Sequence, residues 1–401
     1  MVMGSGTTLG DTHNFGRRVV RRSTPGGERI AKPRTVAWER LFLDADSPLR
    51  MRLDAAARRA GIDGAFSFLP DLKFFPSDSG SFGGDVEALE LKALGQLSAD
   101  EAQGLARIVG RSLALWSWFG VTDLHWENLA LGRTDDSRIV FTPLDIEAIF
   151  EDLRLPTETK LLPDADQEVA EICRHACGVR RVLPFLGKPV RPEHLVPMAA
   201  EYSRMLDLLD DHCDEIAAVV SGLPSLDETP IRVCLRGTDV YVYAMLGVDR
   251  PVWPPFLEAE EARMARGDVP YFFRLIGQTG IWYYGDADLE IVCQIPTEGD
   301  VPRLEPLLDL TGGLCSPNRE SLRTEGLFTI LGAFDDPSFK GRHRESEMEI
   351  EFGDGVLVVE TANEALETDR DLSEFVGSAY MPCRCGEVES VFVPPVTQCE
   401  V

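Results

Sequence analysis

The residues with the clearest chemical potential lie in Val121-Thr-Asp-Leu-His-Trp-Glu-Asn-Leu-Ala-Leu131, where Asp123, His125, Glu127 and Asn128 occupy six positions. A metal hydrolase is a poor match. Zinc usually takes two or three His or Cys ligands, and none of the chain's six His stands four residues from His125. A serine hydrolase is equally weak, because no G-x-S-x-G elbow is present. Phosphoryl transfer fits the spacing better. Asp123 stands five residues before Asn128, and Asp145 follows seventeen residues later. In kinase-like sites the first Asp orients the acceptor hydroxyl, while the Asn and a later Asp supply hard oxygen ligands to Mg²⁺. The bland alternative is a polar loop in which Asp123 and Asn128 cap backbone amides.

Several elements must position these groups. Phe15-Gly-Arg-Arg-Val-Val-Arg-Arg-Ser23 and Arg29-Ile-Ala-Lys-Pro-Arg34 read as a hairpin turning at Gly26-Gly27, with Pro33 ending the second strand and Lys32 just before it. Leu49–Arg59 reads as a helix, and residues 61–84 read as a long loop or flap. Ser98-x-x-Glu101 is a capping box that opens a helix with Leu105, Ile108, Val109, Leu113 and Trp116 on one face, ending at Gly120. A β-turn-β through residues 134–137 delivers Asp145. Residues 167–220 read as mostly helical, 231–246 as β, and 347–360 as a hairpin about Gly353-Asp-Gly355.

Composition narrows the partners. A net charge of −27 argues against nucleic acid. One exception is residues 17–34, with seven Lys or Arg against one Glu, which suits either a solvated face or a small anionic ligand. No apolar run reaches the length of a membrane span and no signal peptide is visible, so the expected location is the cytoplasm. Cys383, Cys385 and Cys399 miss the usual C-x2-C spacing, and Cys173, His175 and Cys177 do not share one helix face.

At these residues the chain resembles the dehydratase domain of class II lanthipeptide synthetases. The motifs are Gly10-Asp-Thr-His-Asn-Phe-Gly16, Lys32-Pro-Arg34, Thr122-Asp-Leu-His-Trp-Glu-Asn128, Leu144-Asp-Ile-Glu-Ala-Ile-Phe150 and Leu161-Leu-Pro163. Arg232-Val-Cys-Leu-Arg-Gly-Thr-Asp-Val-Tyr241 and Gly267-Asp-Val-Pro-Tyr-Phe272 follow in order.

The resemblance implies an α+β, kinase-like core with a mostly helical large lobe. Residues 1–120 would form a partial small lobe and connecting helix, 121–285 the catalytic large lobe, and 286–401 a small α+β module. It implies ATP- and Mg²⁺-dependent phosphorylation of Ser or Thr in a ribosomal precursor peptide, then phosphate elimination to dehydroalanine or dehydrobutyrine. Alternatives are a kinase working with a separate lyase, and a non-catalytic scaffold that binds a leader peptide or partner enzyme.

Carried over by residue, Asp11 and His13 belong to the active-site floor, and Lys32 and Arg34 to the ATP phosphates. Asp123 and His125 belong to the catalytic loop, and Asn128, Asp145 and Glu147 to the metal. Arg236, with Arg232 as second choice, would bind the leaving phosphate. Family members carry a long region before the G-D-x-H motif, so part of the small lobe would be either missing or supplied by a partner protein. No cyclase motif follows residue 275, so ring closure would fall to another enzyme.

Overall fold

A computed structural model of the chain describes residues 7–62, 64–76, 83–163, 177–187, 190–248, 255–276, 278, 280–290, 292–295, 319–323, 326–327 and 329–330, together with strand backbones between 341 and 393. The fold is mixed α+β with antiparallel sheets. Among the described residues no helix is long and apolar enough to cross a membrane.

The first sheet contains β1 (Thr7–His13), β2 (Arg17–Thr24), β3 (Gly27–Lys32), β4 (Phe74–Pro76) and β5 (Gly84–Glu87) in the order β1-β2-β3-β5-β4. The β2–β3 hairpin closes with Thr24 opposite Gly27, whose φ of +112° a side chain would resist. Pro33, which has no N–H to donate, then ends the ladder. Two helices follow β3, α1 (Ala37–Leu43) and α2 (Pro48–Arg59). Ser47 caps α2 by accepting from Arg50 N, and Pro48 occupies the first turn, where its missing N–H costs nothing. The expected loop over 61–84 holds β4 and reaches the start of β5, with residues 77–82 outside the described set.

The main core forms around α3 (Ala99–Trp118), with the expected capping box in place at Ser98 and Glu101. Leu105, Val109, Leu113 and Trp116 are fully buried, and Ile108 is partly so. After the short α4 (Leu183–Leu186), the long α5 (Pro192–Asp211) packs across α3 so closely that a Cβ at Gly110 would lie 2.1 Å from Met198 O. Beyond α5 comes α6 (Cys213–Ser221). The hairpin of β6 (Leu129–Arg133) and β7 (Ile139–Pro143) pairs as expected. The expected helical character of 167–220 is found in α4, α5 and α6, while residues 164–176 lie outside the described set.

One expectation fails. Residues 231–246 do not continue as β structure: β8 (Ile231–Val233) is followed by helix α7 (Thr238–Met245). The Val and Tyr residues there favour strands only where a pleated surface receives them. Here Tyr241 is instead buried against α8 (Glu258–Met264), donating to Glu260. Strands β9 (Phe272–Arg274), β10 (Trp282–Tyr284) and β11 (Val292–Gln294) complete the sheet β11-β10-β9-β8. That sheet runs through the expected 285/286 boundary, since β10 pairs β11 across it. In α9 (Arg319–Arg323) Leu322 joins the main core, as do Leu327 and Ile330. The hairpin expected over 347–360 pairs β13 (Met348–Gly353) with β14 (Val356–Glu360), between β12 (Gly341–Glu345) and β15 (Ala365–Thr368). Strands β16 (Ala379–Cys385) and β17 (Val388–Val393) pair with each other. The side chains of Cys173, His175, Cys383, Cys385 and Cys399 lie outside the described residues.

Candidate functional site

The loop after α3 is built by backbone constraint. At Gly120 φ is +61°, and a Cβ would lie 2.0 Å from Glu151 O, so only glycine fits. Phe150 N donates to Phe119 O and Thr122 N to Ala148 O, tying the loop to the segment that carries Asp145 and Glu147. Asp123 is left-handed, with φ +65°. Such strain persists only where the surroundings over-determine it, and it clusters at functional sites. Asn128 Nδ2 donates to Asp123 O at 2.9 Å, and Asn128 O accepts from Leu144 N at 2.7 Å. The D-x4-N spacing therefore closes on itself and sets Asp145 beside it.

Next to the loop runs a chain of alternating charges. Lys32 Nζ lies 2.7 Å from Glu39 Oε1 on α1 and 3.7 Å from Asp145 Oδ1, and it donates to Leu144 O at 2.6 Å. Arg34 contacts Asp145 through Nη2, and its Nε lies 2.7 Å from Glu147 Oε1. Arg232 Nη1 donates to the same Glu147 oxygen at 3.2 Å. Burial opposes ionisation at Asp145, but Arg34 and Lys32 outweigh it and hold this carboxyl well below the usual range. At Glu147 burial prevails over Arg34, and the pKa is pushed up to about 7. Glu39 is likewise raised by burial, against the pull of Lys32. Burial also opposes ionisation at Asp123, yet Lys160 and Arg232 keep its pKa below the ordinary value.

These groups surround a cleft of about 500 Å³, within the range of small-molecule sites. Asp11, His13 and Arg34 line it from the side of the first sheet. Asp123, His125, Asn128, Asp145 and Glu147 line it from the other. Lys32 sits behind the wall, buried in its ion pairs. His13 Nδ1 contacts Val269 O at 2.9 Å, and its pKa is lowered to about 4 by burial and the nearby Arg232.

Arg236 stands apart from the cleft. It donates to Glu260 Oε1 at 2.9 Å and to Pro255 O at 2.6 Å, and its guanidinium lies over the Phe256 ring. Arg232 is the arginine that reaches the cleft wall. Four residues to which the sequence reading gave no role also belong here: Glu39, Lys160, Thr238 and Tyr271. Thr238 and Tyr271 lay within the motifs 232–241 and 267–272, and Glu39 had the signal of an acidic residue in the first turn of the helix after the lysine strand. The basic run is divided among roles. Arg34 lines the cleft, Lys32 supports Asp145 from behind it, Arg21 pairs with Glu28 and Glu90, and Arg29 stacks on Phe75.

Among the described residues no group of three or more His, Cys, Asp and Glu is arranged to hold a metal. The donor set here, two carboxylates and one amide, is chemically suited to a hard divalent cation. Glu147 Oε2 is buried without a hydrogen-bond partner and so retains acceptor capacity, whereas Asp145 Oδ1 is engaged by Arg34 and faces Lys32. No protein-family model matches the chain, and no curated protein matches it.

Proposed function

We propose that the chain is a kinase-like peptide phosphotransferase that modifies Ser or Thr of a ribosomal precursor peptide and eliminates the phosphate, as the lanthipeptide-type resemblance implies. The observation that carries this reading is the Lys32–Glu39 pair at the end of β3 and on α1, with Asp145 within 3.7 Å of Lys32 and the Asp123–Asn128 loop across the cleft. Kinase-like sites use such a strand lysine, held by a helix glutamate, to contact nucleotide phosphates.

Asn128, Asp145 and Glu147 would hold Mg²⁺, which when bound neutralises charge on the nucleotide phosphates. Asp123, kept ionised, accepts the proton of the attacking hydroxyl. The acceptor oxygen bonds to the γ-phosphorus, the bond to the bridging oxygen breaks, and the nucleoside diphosphate leaves. Arg232 is placed to bind the phosphate of the product, since a guanidinium fork suits phosphate oxygens. In the elimination the Cα proton passes to solvent base, its electron pair forms the Cα=Cβ bond, and the Cβ–O bond breaks to release inorganic phosphate.

One observation favours a second reading. Arg34 already sits between Asp145 and Glu147, neutralising them without a metal, as a non-catalytic scaffold would require. The two readings separate in one experiment: incubation with ATP, Mg²⁺ and Ser/Thr-containing peptides, followed by ADP assay and mass spectrometry. The expected result is ADP formation with a transient gain of phosphate and a net loss of water, abolished in Asp123→Ala and Asn128→Ala. A persistent phosphate gain indicates a kinase that passes its product to a separate lyase. Equal ADP formation by wild type and both variants would sink the catalytic reading.

A further inference from the structure

The carboxylate that receives the hydroxyl proton is already engaged. Lys160 Nζ lies 2.8 Å from Asp123 Oδ1, and both residues are left-handed, each with φ +65°. Two backbone bonds fix the approach: Leu124 N donates to Thr159 O at 2.9 Å, and Gly178 N to Lys160 O at 3.0 Å. The backbone is thus tightly held while the ammonium retains reach, because the Lys160 side chain is 41% exposed and that of Asp123 only 20%. Arg232, on the cleft wall, acts electrostatically on the same carboxylate. Two cations therefore act on the one carboxylate that would take the proton of the acceptor hydroxyl.

We propose that Lys160 is a phosphate-binding residue whose ammonium passes from Asp123 to the phosphate newly formed on the substrate hydroxyl. This rests on the phosphotransferase reading above. Before transfer, the ion pair keeps Asp123 ionised. During transfer, the hydroxyl proton moves to Asp123, whose carboxyl becomes neutral. The Coulomb attraction between Lys160 and Asp123 then vanishes, just as a phosphate dianion appears beside them. Lys160 keeps its own proton throughout, so no further donor or acceptor is needed. The ammonium and the Arg232 guanidinium then share the phosphate through charge-assisted bonds. A purely structural Lys160, fastening two loops together, would show no such preference for phosphate.

Asp123→Asn imitates the carboxyl after it has taken the proton, which allows a test without turnover. The full-length chain is titrated calorimetrically with N-acetyl-O-phosphoserine methylamide and with its unphosphorylated counterpart. Asp123→Asn is expected to bind the phosphorylated compound about 10-fold tighter than wild type, with little change for the other. Adding Lys160→Gln to that background removes the gain, and adding Lys160→Arg retains most of it. Where the Gln double variant does not fold, Lys160→Met, which keeps the apolar stem, replaces it with the same expectation. Asp123→Asn binding no tighter than wild type, or a gain that survives loss of the Lys160 ammonium, would overturn the proposal. The phosphotransferase reading fails separately, on ADP formation by the unaltered chain.

Discussion

The Lys32 ammonium donates to Glu39 Oε1 at 2.7 Å with both side chains almost completely buried, at 6% and 2% exposure. Removing one partner of such a pair leaves an uncompensated charge, whereas replacing both by apolar residues often costs little. Lys32→Met or Glu39→Leu alone is expected to destabilise the fold by about 3 kcal/mol, and the double variant by clearly less than the sum. Urea denaturation of the four proteins measures this; additive losses would show that the pair is not coupled. On the phosphotransferase reading, Lys32→Met also removes the cation that holds Asp145 from behind the cleft, and it is expected to reduce ADP formation about 100-fold.

Arg232 and Arg236 should part company. Arg232→Ala removes a guanidinium from the cleft wall, so phosphorylated peptide is expected to accumulate while ADP formation continues. Arg236→Ala instead takes the cation from the Glu260 carboxylate, whose side chain is 0% exposed and keeps only the neutral donors Tyr241 and Leu257 N, and should cost about 3 kcal/mol of stability. Mass spectra of product and thermal melts distinguish the two; accumulation of phosphopeptide with Arg236→Ala but not Arg232→Ala would reverse the assignment.

Gly120→Ala tests whether the loop is set by backbone fit. Its Cβ would meet Glu151 O at 2.0 Å, and the residue would have to hold φ +61°. A loss of at least about 2 kcal/mol is expected, with ADP formation impaired even where the fold survives, because Asp123 lies three residues on. A variant with wild-type stability and activity would mean that the close approach is not required.

Two cleft groups give the stability opposite pH dependences. His13 falls from its ordinary 6.5 to about 4 through burial and Arg232, so its term is fully present above 6.5 and lost as pH falls through 4. Glu147 rises from 4.5 to about 7 through burial, so its term is fully present below 4.5 and lost as pH rises through 7. Each is worth at most about 3 kcal/mol by linkage. Relative to wild type, His13→Asn should therefore gain stability toward pH 4.5 and Glu147→Gln toward pH 7. Urea midpoints across this range measure the slopes; parallel curves for all three proteins would refute both assignments.

The sequence by itself determined what depends on neighbours within a few positions. The Ser98–Glu101 box, the apolar face of α3, the helix over Leu49–Arg59 and the β6–β7 hairpin are all local patterns of hydrogen bonding and periodicity, and they are where expected. The D-x4-N loop was legible too, because Asn128 turns back onto the Asp123 backbone within one turn. Helix α7 was not, since its Val and Tyr residues take strand or helix according to the surface that receives them. Only the tertiary structure could choose Arg232 over Arg236 for the cleft, pair Lys160 with Asp123 across 37 residues, and bring Lys32 to Leu144 across 112. A charged side chain finds its partner through distance and burial in the folded chain, and residue order records neither.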